Sequence, residues 1–223
     1  ELMNEEYKIY SCREQEFSYV FRNPQAPLNY TTGVTAVTYV NDYQALNEMI
    51  SKSGFGYVRW NQQFPYTMPH NNRTIIASYH NVLRDMCDNG IKALGFLFST
   101  PSQYPIIEGE HWPQSDASRK KFGEFAEFMA SRYKGIVNEF EFWNEWNLEG
   151  SQFNRLRLSV KDYFLALKEV YNGVKRGNPA ALVAGAATSG DALEWNTELI
   201  KLGGGNYMDI LTVHPYRWST DPI

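Results

Sequence analysis

From Thr32-Gly33 onward the chain repeats one texture: a short apolar run, a polar or Pro- and Gly-containing loop, then apolar residues at helical spacing. Recurrence every three or four positions marks one face of a helix, and short continuous apolar runs mark buried strands. Val34 to Val40 predicts a first strand, and Tyr43, Leu46, Met49 and Ile50 predict a helix stopped at Gly54. Tyr57-Val58-Arg59-Trp60 predicts the second strand. The next helix is marked by Ile75, Ile76, Tyr79, Val82, Leu83 and Met86 and ends at Asn89-Gly90; Ile91 to Phe98 then predicts strand three. Phe122, Phe125, Phe128, Met129 and Tyr133 predict a helix closing at Gly135, ahead of a fourth strand in Phe140 to Asn147. Helix Val160 to Lys175, strand Ala181 to Ala187, helix Ala192 to Leu202 and strand Met208 to His214 complete the series, with Pro215 cutting off the last.

Such alternation with short returns implies a parallel sheet with right-handed crossovers. Six units at this spacing predict an α/β fold of (β/α)8 TIM-barrel type with six of its eight units present. A Gly-x-Gly-x-x-Gly after the first strand, the signature of a dinucleotide-binding sheet, is missing. Residues 1–30 are expected to be an N-terminal extension or hairpin, with strands at Tyr7 to Tyr10 and Phe17 to Phe21, and 31–223 a barrel truncated after strand six. A complete barrel takes about 250 residues, so the remainder is expected from further sequence or from a partner chain.

The fourth strand carries the chemistry. Period-2 alternation sends Glu141, Trp143 and Glu145 to one face and Phe140 and Phe142 to the other. Carboxylates on a buried face cost several kcal/mol unless compensated, which points to function. In a barrel the reactive groups lie at the carboxyl ends of the strands. Those ends supply Arg59, then Asn144 with Glu145, then His214 with Tyr216. Glycoside hydrolysis needs one protonated carboxyl to assist the leaving oxygen and a second carboxylate as nucleophile or base. Glu145 suits the first role, Asn144 a hydrogen bond to a sugar 2-hydroxyl, and Arg59 either a site cation or an ion-pair partner for Glu141. Trp60, Trp112, Trp143, Trp146 and Trp218 fall at strand ends or in the loops after them; Trp112 and Trp146 are read as sugar-stacking residues and Trp143 as core.

Composition narrows the partners. The net charge of −4 and the lack of basic runs argue against nucleic acid, and no apolar run approaches a membrane span. Cys12 and Cys87 follow no metal spacing and read as unpaired thiols; the four histidines form no metal-binding pair, and no cofactor is expected. No Gly-x-Ser-x-Gly elbow is present.

The stretches Gly54 to Trp60, Tyr133-Lys134-Gly135, Phe140 to Asn147 and Asp209 to Arg217 resemble the clan A glycoside hydrolases, and most of all family 39, the group of β-xylosidases, α-iduronidases and exopolysaccharide hydrolases. The resemblance spans about Thr32 to Ile223. It implies a retaining glycosidase acting on an oligo- or polysaccharide, with Glu145 as acid/base, Asn144 its neighbour, and Arg59, His214 and Tyr216 in the site. It also implies a nucleophilic Glu on a strand seven that this chain lacks, so the 223 residues alone are expected to be inactive or weak. A secreted or periplasmic setting is expected, with any signal peptide removed. Trp146 departs from the Pro usual after Asn-Glu, and Val37 from a common His. The rival expectation is a non-catalytic carbohydrate-binding or assembly protein on a degenerate barrel.

Overall fold

The computed structural model describes residues 29–36, 48–50, 52–63, 77–99, 105–151 and 153–215. The predicted N-terminal hairpin, Cys12, Val37, Tyr216 and Trp218 lie outside them. Six parallel strands form one sheet in sequence order: β1 Asn29–Ala36, β2 Phe55–Gln63, β3 Lys92–Phe98, β4 Val137–Phe142, β5 Leu182–Ser189 and β6 Ile210–His214. Between them run α1 Ala77–Asp88, α2 Asp116–Arg132, α3 Val160–Gly177 and α4 Leu193–Lys201, while residues 48–50 and 52–53 are helical ahead of β2. Strands in sequence order, each separated from the next by a crossover, make an incomplete (β/α)8 barrel of six units.

The elements differ from the sequence expectation at both ends: β4 starts at Val137 and stops at Phe142 rather than running 140–147, and β2 extends to Gln63. β1 begins at Asn29, five residues before Val34, because the polar Asn-Tyr-Thr-Thr-Gly segment is drawn into pairing with β2, with a register shift between Asn29 and Gly33. A side chain at Gly33 would lie 2.8 Å from the Tyr57 carbonyl, so glycine permits that approach. Helix α2 starts at Asp116, well before its first phenylalanine. Its capping box, in which Ser115 and Ser118 satisfy each other's backbone N–H groups, is a polar signal that apolar periodicity misses. Ser159 and Asp162 cap α3 in the same way.

The core lies between the sheet and its helices. Phe122, Phe125, Phe140, Phe142, Trp143, Trp146 and Tyr163 are all essentially inaccessible to solvent. Their rings meet edge-on or tilted, as at Phe122–Phe142 (5.8 Å) and Trp143–Trp146 (5.1 Å), contacts worth roughly 0.5–1.5 kcal/mol each beyond burial. Helices α2 and α3 touch backbone to backbone: a Cβ on Gly173 would fall 2.1 Å from the Gly123 carbonyl oxygen, and one on Gly177 2.2 Å from that of Glu127. The ion pairs Arg119–Asp162 (2.8 Å) and Arg176–Glu127 (2.7 Å) tie the same two helices at either end of that contact.

The other face of the sheet carries polar groups in layers. Tyr57 of β2 donates to Glu139 of β4 at 3.0 Å, and one layer above, Arg59 pairs with Glu141. Both contacts bridge across β3. None of the described helices is long and apolar enough to cross a membrane.

Candidate active site

Strand β4 ends at Phe142, and the chain leaves it through two residues with left-handed backbone, Trp143 at φ 67° and Glu145 at φ 48°. For residues with a side chain this conformation costs on the order of 1–2 kcal/mol each, so packing must hold it. The Trp143 N–H donates to the Leu97 carbonyl at 3.0 Å and its indole N–H to that of Phe153 at 2.8 Å, while the ring packs on Phe98, Phe122, Phe142 and Trp146. The kink therefore breaks the expected alternation. Trp143 does not share a face with Glu141; it turns into the aromatic core.

The same kink brings Asn144 and Glu145 to the carboxyl end of the barrel. The Glu145 N–H donates to the Ala187 carbonyl of β5 at 2.8 Å, and its Oε1 lies 3.0 Å from Nδ1 of His214, the last residue of β6. Asn144 Oδ1 accepts from Arg59 Nη2 at 3.1 Å. A guanidinium only donates, so the Asn144 oxygen must face it and the amide NH2 is the group left to meet a ligand. Arg59 is itself held on two sides. Its Nε donates to Glu141, which is 2% exposed, and its guanidinium lies 4.0 Å above the Phe96 ring of β3. The paired charge makes the buried Glu141 tolerable, since an uncompensated carboxylate there would be strongly destabilising.

The structure thus brings Arg59 together with Asn144 and Glu145, just past the end of β4, and His214, the last residue of β6. Arg59 itself is not at a strand end as expected: pairing with β3 carries β2 on to Gln63, which leaves Arg59 in the middle of the strand. Nor does the structure bring in the tryptophans read as stacking residues. Trp146 is 1% exposed, its ring lies within the Phe142–Trp143–Tyr163 cluster, and its indole N–H donates to the Leu158 carbonyl at 3.1 Å. Trp112 is 7% exposed and belongs to the hydrophobic core. Both rings are packed among core residues, so neither presents an open face for a sugar among the described residues. Cys87 is a half-buried free thiol. Among the described residues, no group of His, Cys, Asp and Glu gathers to hold a metal ion.

Sequence reasoning missed four contributors. Phe96 supports Arg59. Asn147 pairs with the backbone of Ser189, donating to its carbonyl at 3.0 Å and accepting from its N–H at 2.9 Å. Tyr163 of α3 accepts from the Ala186 N–H at 2.8 Å and reaches the Phe142 carbonyl at 3.3 Å. Ala187 supplies the carbonyl that holds Glu145, at a bulge where Ala186 and Ala187 have φ of 74° and 44°. Only Asn147 carried a local signal, as a polar residue ending an aromatic run.

No protein-family model and no curated protein matches the chain. Solved structures match it through the barrel. A family 39 glycoside hydrolase from the gut symbiont Bacteroides cellulosilyticus WH2 superposes with a TM-score of 0.70 at 21% identity, covering 88% of this chain and 40% of that one. A family 39 β-xylosidase from Caulobacter crescentus gives 0.60 at 18% over 88% and 49%, and a family 39 enzyme from Xanthomonas axonopodis pv. citri 0.60 at 19% over 85% and 42%. The fold is therefore that of the glycoside hydrolase barrels. More narrowly, it is similar to the family 39 barrel, of whose chains these residues span 40–49%.

Proposed function

We propose that these residues form the acid/base-bearing part of a retaining glycoside hydrolase acting on an oligo- or polysaccharide. The observation that supports the reading best is the Glu145 carboxyl, held at the barrel mouth against His214 beside an Asn144 whose amide is oriented by Arg59. In the proposed reaction Glu145 protonates the glycosidic oxygen as the bond to the anomeric carbon breaks, and later takes a proton from the water that releases the sugar. Asn144 donates to the 2-hydroxyl, a bond that strengthens as positive charge develops on the ring. Glu141 is committed to Arg59, so the nucleophile is assigned to a glutamate on a further strand beside β6.

The test is the complete natural protein assayed on a panel of 2,4-dinitrophenyl and phenyl glycosides, with β-xylosides included because similarly folded proteins are β-xylosidases. Glu145→Gln is expected to spare kcat/KM on the dinitrophenyl glycoside, whose leaving group departs unprotonated, and to lower it on the phenyl glycoside by about 10²–10⁴-fold. Oligosaccharide binding without turnover by the complete wild-type protein would overturn the reading in favour of a non-catalytic binding protein.

A further inference from the structure

Strands β4 and β5 pair regularly at Glu139↔Leu182, Phe140↔Val183 and Glu141↔Ala184 and no further. Carried two residues on, the same parallel register would set the Ala186 N–H directly against the Phe142 carbonyl, at about 2.9 Å. The Tyr163 hydroxyl occupies that place instead, accepting from the Ala186 N–H at 2.8 Å and donating to the Phe142 carbonyl at 3.3 Å. The phenol enters from α3, outside the barrel, and is fully buried, with its ring 5.1 Å from Phe142, 5.4 Å from Trp146 and 5.1 Å from Trp195. Burial drives its pKa far above the ordinary tyrosine value, so the hydroxyl keeps the proton it needs to both donate and accept.

Beyond this insertion the strands are joined again by a side chain, the amide of Asn147 on the backbone of Ser189. Glu145 lies between the two joints, its N–H on the Ala187 carbonyl. Four of the six described non-glycine residues with positive φ, Trp143, Glu145, Ala186 and Ala187, fall in this short interval. Left-handed backbone concentrated at one point is strain that the surroundings must hold in place.

We infer that Tyr163 and Asn147 are positioning residues that hold the ends of β4 and β5 at a set separation and thereby aim the Glu145 carboxyl at the leaving oxygen. The inference rests on Glu145 being the proton donor. With the hydroxyl removed, the Phe142 carbonyl and Ala186 N–H regain a partner only by closing the gap or admitting water, and either change moves the backbone that carries Glu145.

The complete protein, assayed on the glycoside chosen by the panel above, separates positioning from mere packing. For Tyr163→Phe, kcat/KM on the phenyl glycoside is expected to fall about tenfold while that on the dinitrophenyl glycoside stays within about twofold. Asn147→Ala gives the same split with a smaller loss. An equal loss on both substrates, or no loss on either in a protein with wild-type circular dichroism, overturns the inference. If Tyr163→Phe does not fold, Asn147→Ala decides alone by the same criteria. Wild-type hydrolysis of the phenyl glycoside by Glu145→Gln would instead overturn the proton-donor reading beneath it, a separate and recognisable failure.

Discussion

Two neighbouring strand pairs of this sheet are built on opposite plans. β2 and β3 pair through seven consecutive residues, from Tyr57↔Lys92 to Gln63↔Phe98, without a shift. β4 and β5 pair through three and then separate, their ends joined by a phenol, an asparagine amide and one bond from Glu145 to Ala187. In the first pair the backbone satisfies itself, and no side chain is needed to join the strands. In the second the backbone is left open and side chains complete it. Asn144 and Glu145 lie at the second, where the left-handed turns free the Glu145 carboxyl to meet His214, and the first pair contributes Arg59 and its support Phe96 to the candidate site.

The largest effect that would sharpen this contrast is catalytic: Glu145→Gln is expected to cost about 10²–10⁴-fold in kcat/KM on phenyl glycosides, whereas Trp60→Phe, beside the regular ladder, leaves the ratio of phenyl to dinitrophenyl rates unchanged. Next is Arg59→Ala, which strands the buried Glu141 and should lower unfolding stability by about 3–5 kcal/mol in urea titration; a loss below 1 kcal/mol would mean that Glu141 finds water or a proton instead. The backbone difference itself is tested by two alanines of β5. Ala184→Gly, in the paired part, loses a buried methyl and chain stiffness and should cost about 1.5–2 kcal/mol. Ala187→Gly, at φ 44°, suffers the same losses but is relieved of about 1–2 kcal/mol of left-handed strain, so its net change should be near zero. Equal costs at both positions would show that the bulge is not strained. Away from both strand pairs, Ser115→Ala at the α2 cap is expected to cost about 1 kcal/mol with kinetics intact.

How far these plans could be read from the residues follows the same division. The regular elements obey periodicity, so Ile91 to Phe98 and Val160 to Lys175 were placed within two residues at each end. Asn144, Glu145 and His214 were placed near one another because each ends or follows a strand, a rule that needs only the strand count; Arg59 was read as a strand end only because the polar Asn61-Gln62-Gln63 was not seen to continue β2. Trp143 was read as core but given the face of Glu141, because alternation assumes that the strand continues and the left-handed turn at residue 143 ends it. Tyr163 looked like one more apolar position on the α3 face. Its ring fits that pattern, and nothing local distinguishes a hydroxyl that ends between two strands from one that meets solvent.

The glycine contact between α2 and α3 gives that hydroxyl a remote dependence. Tyr163 reaches the gap at a depth set by how closely α3 lies on the barrel, and α3 is seated against α2 through Gly173 and Gly177. One methyl group added at either glycine would act as a shim between the two helices, tilting α3 and drawing the phenol back by a fraction of its reach. The tolerance on the mouth is thus written into the outermost layer, at positions with no side chain, and drift in that layer would detune the site without touching any residue in it.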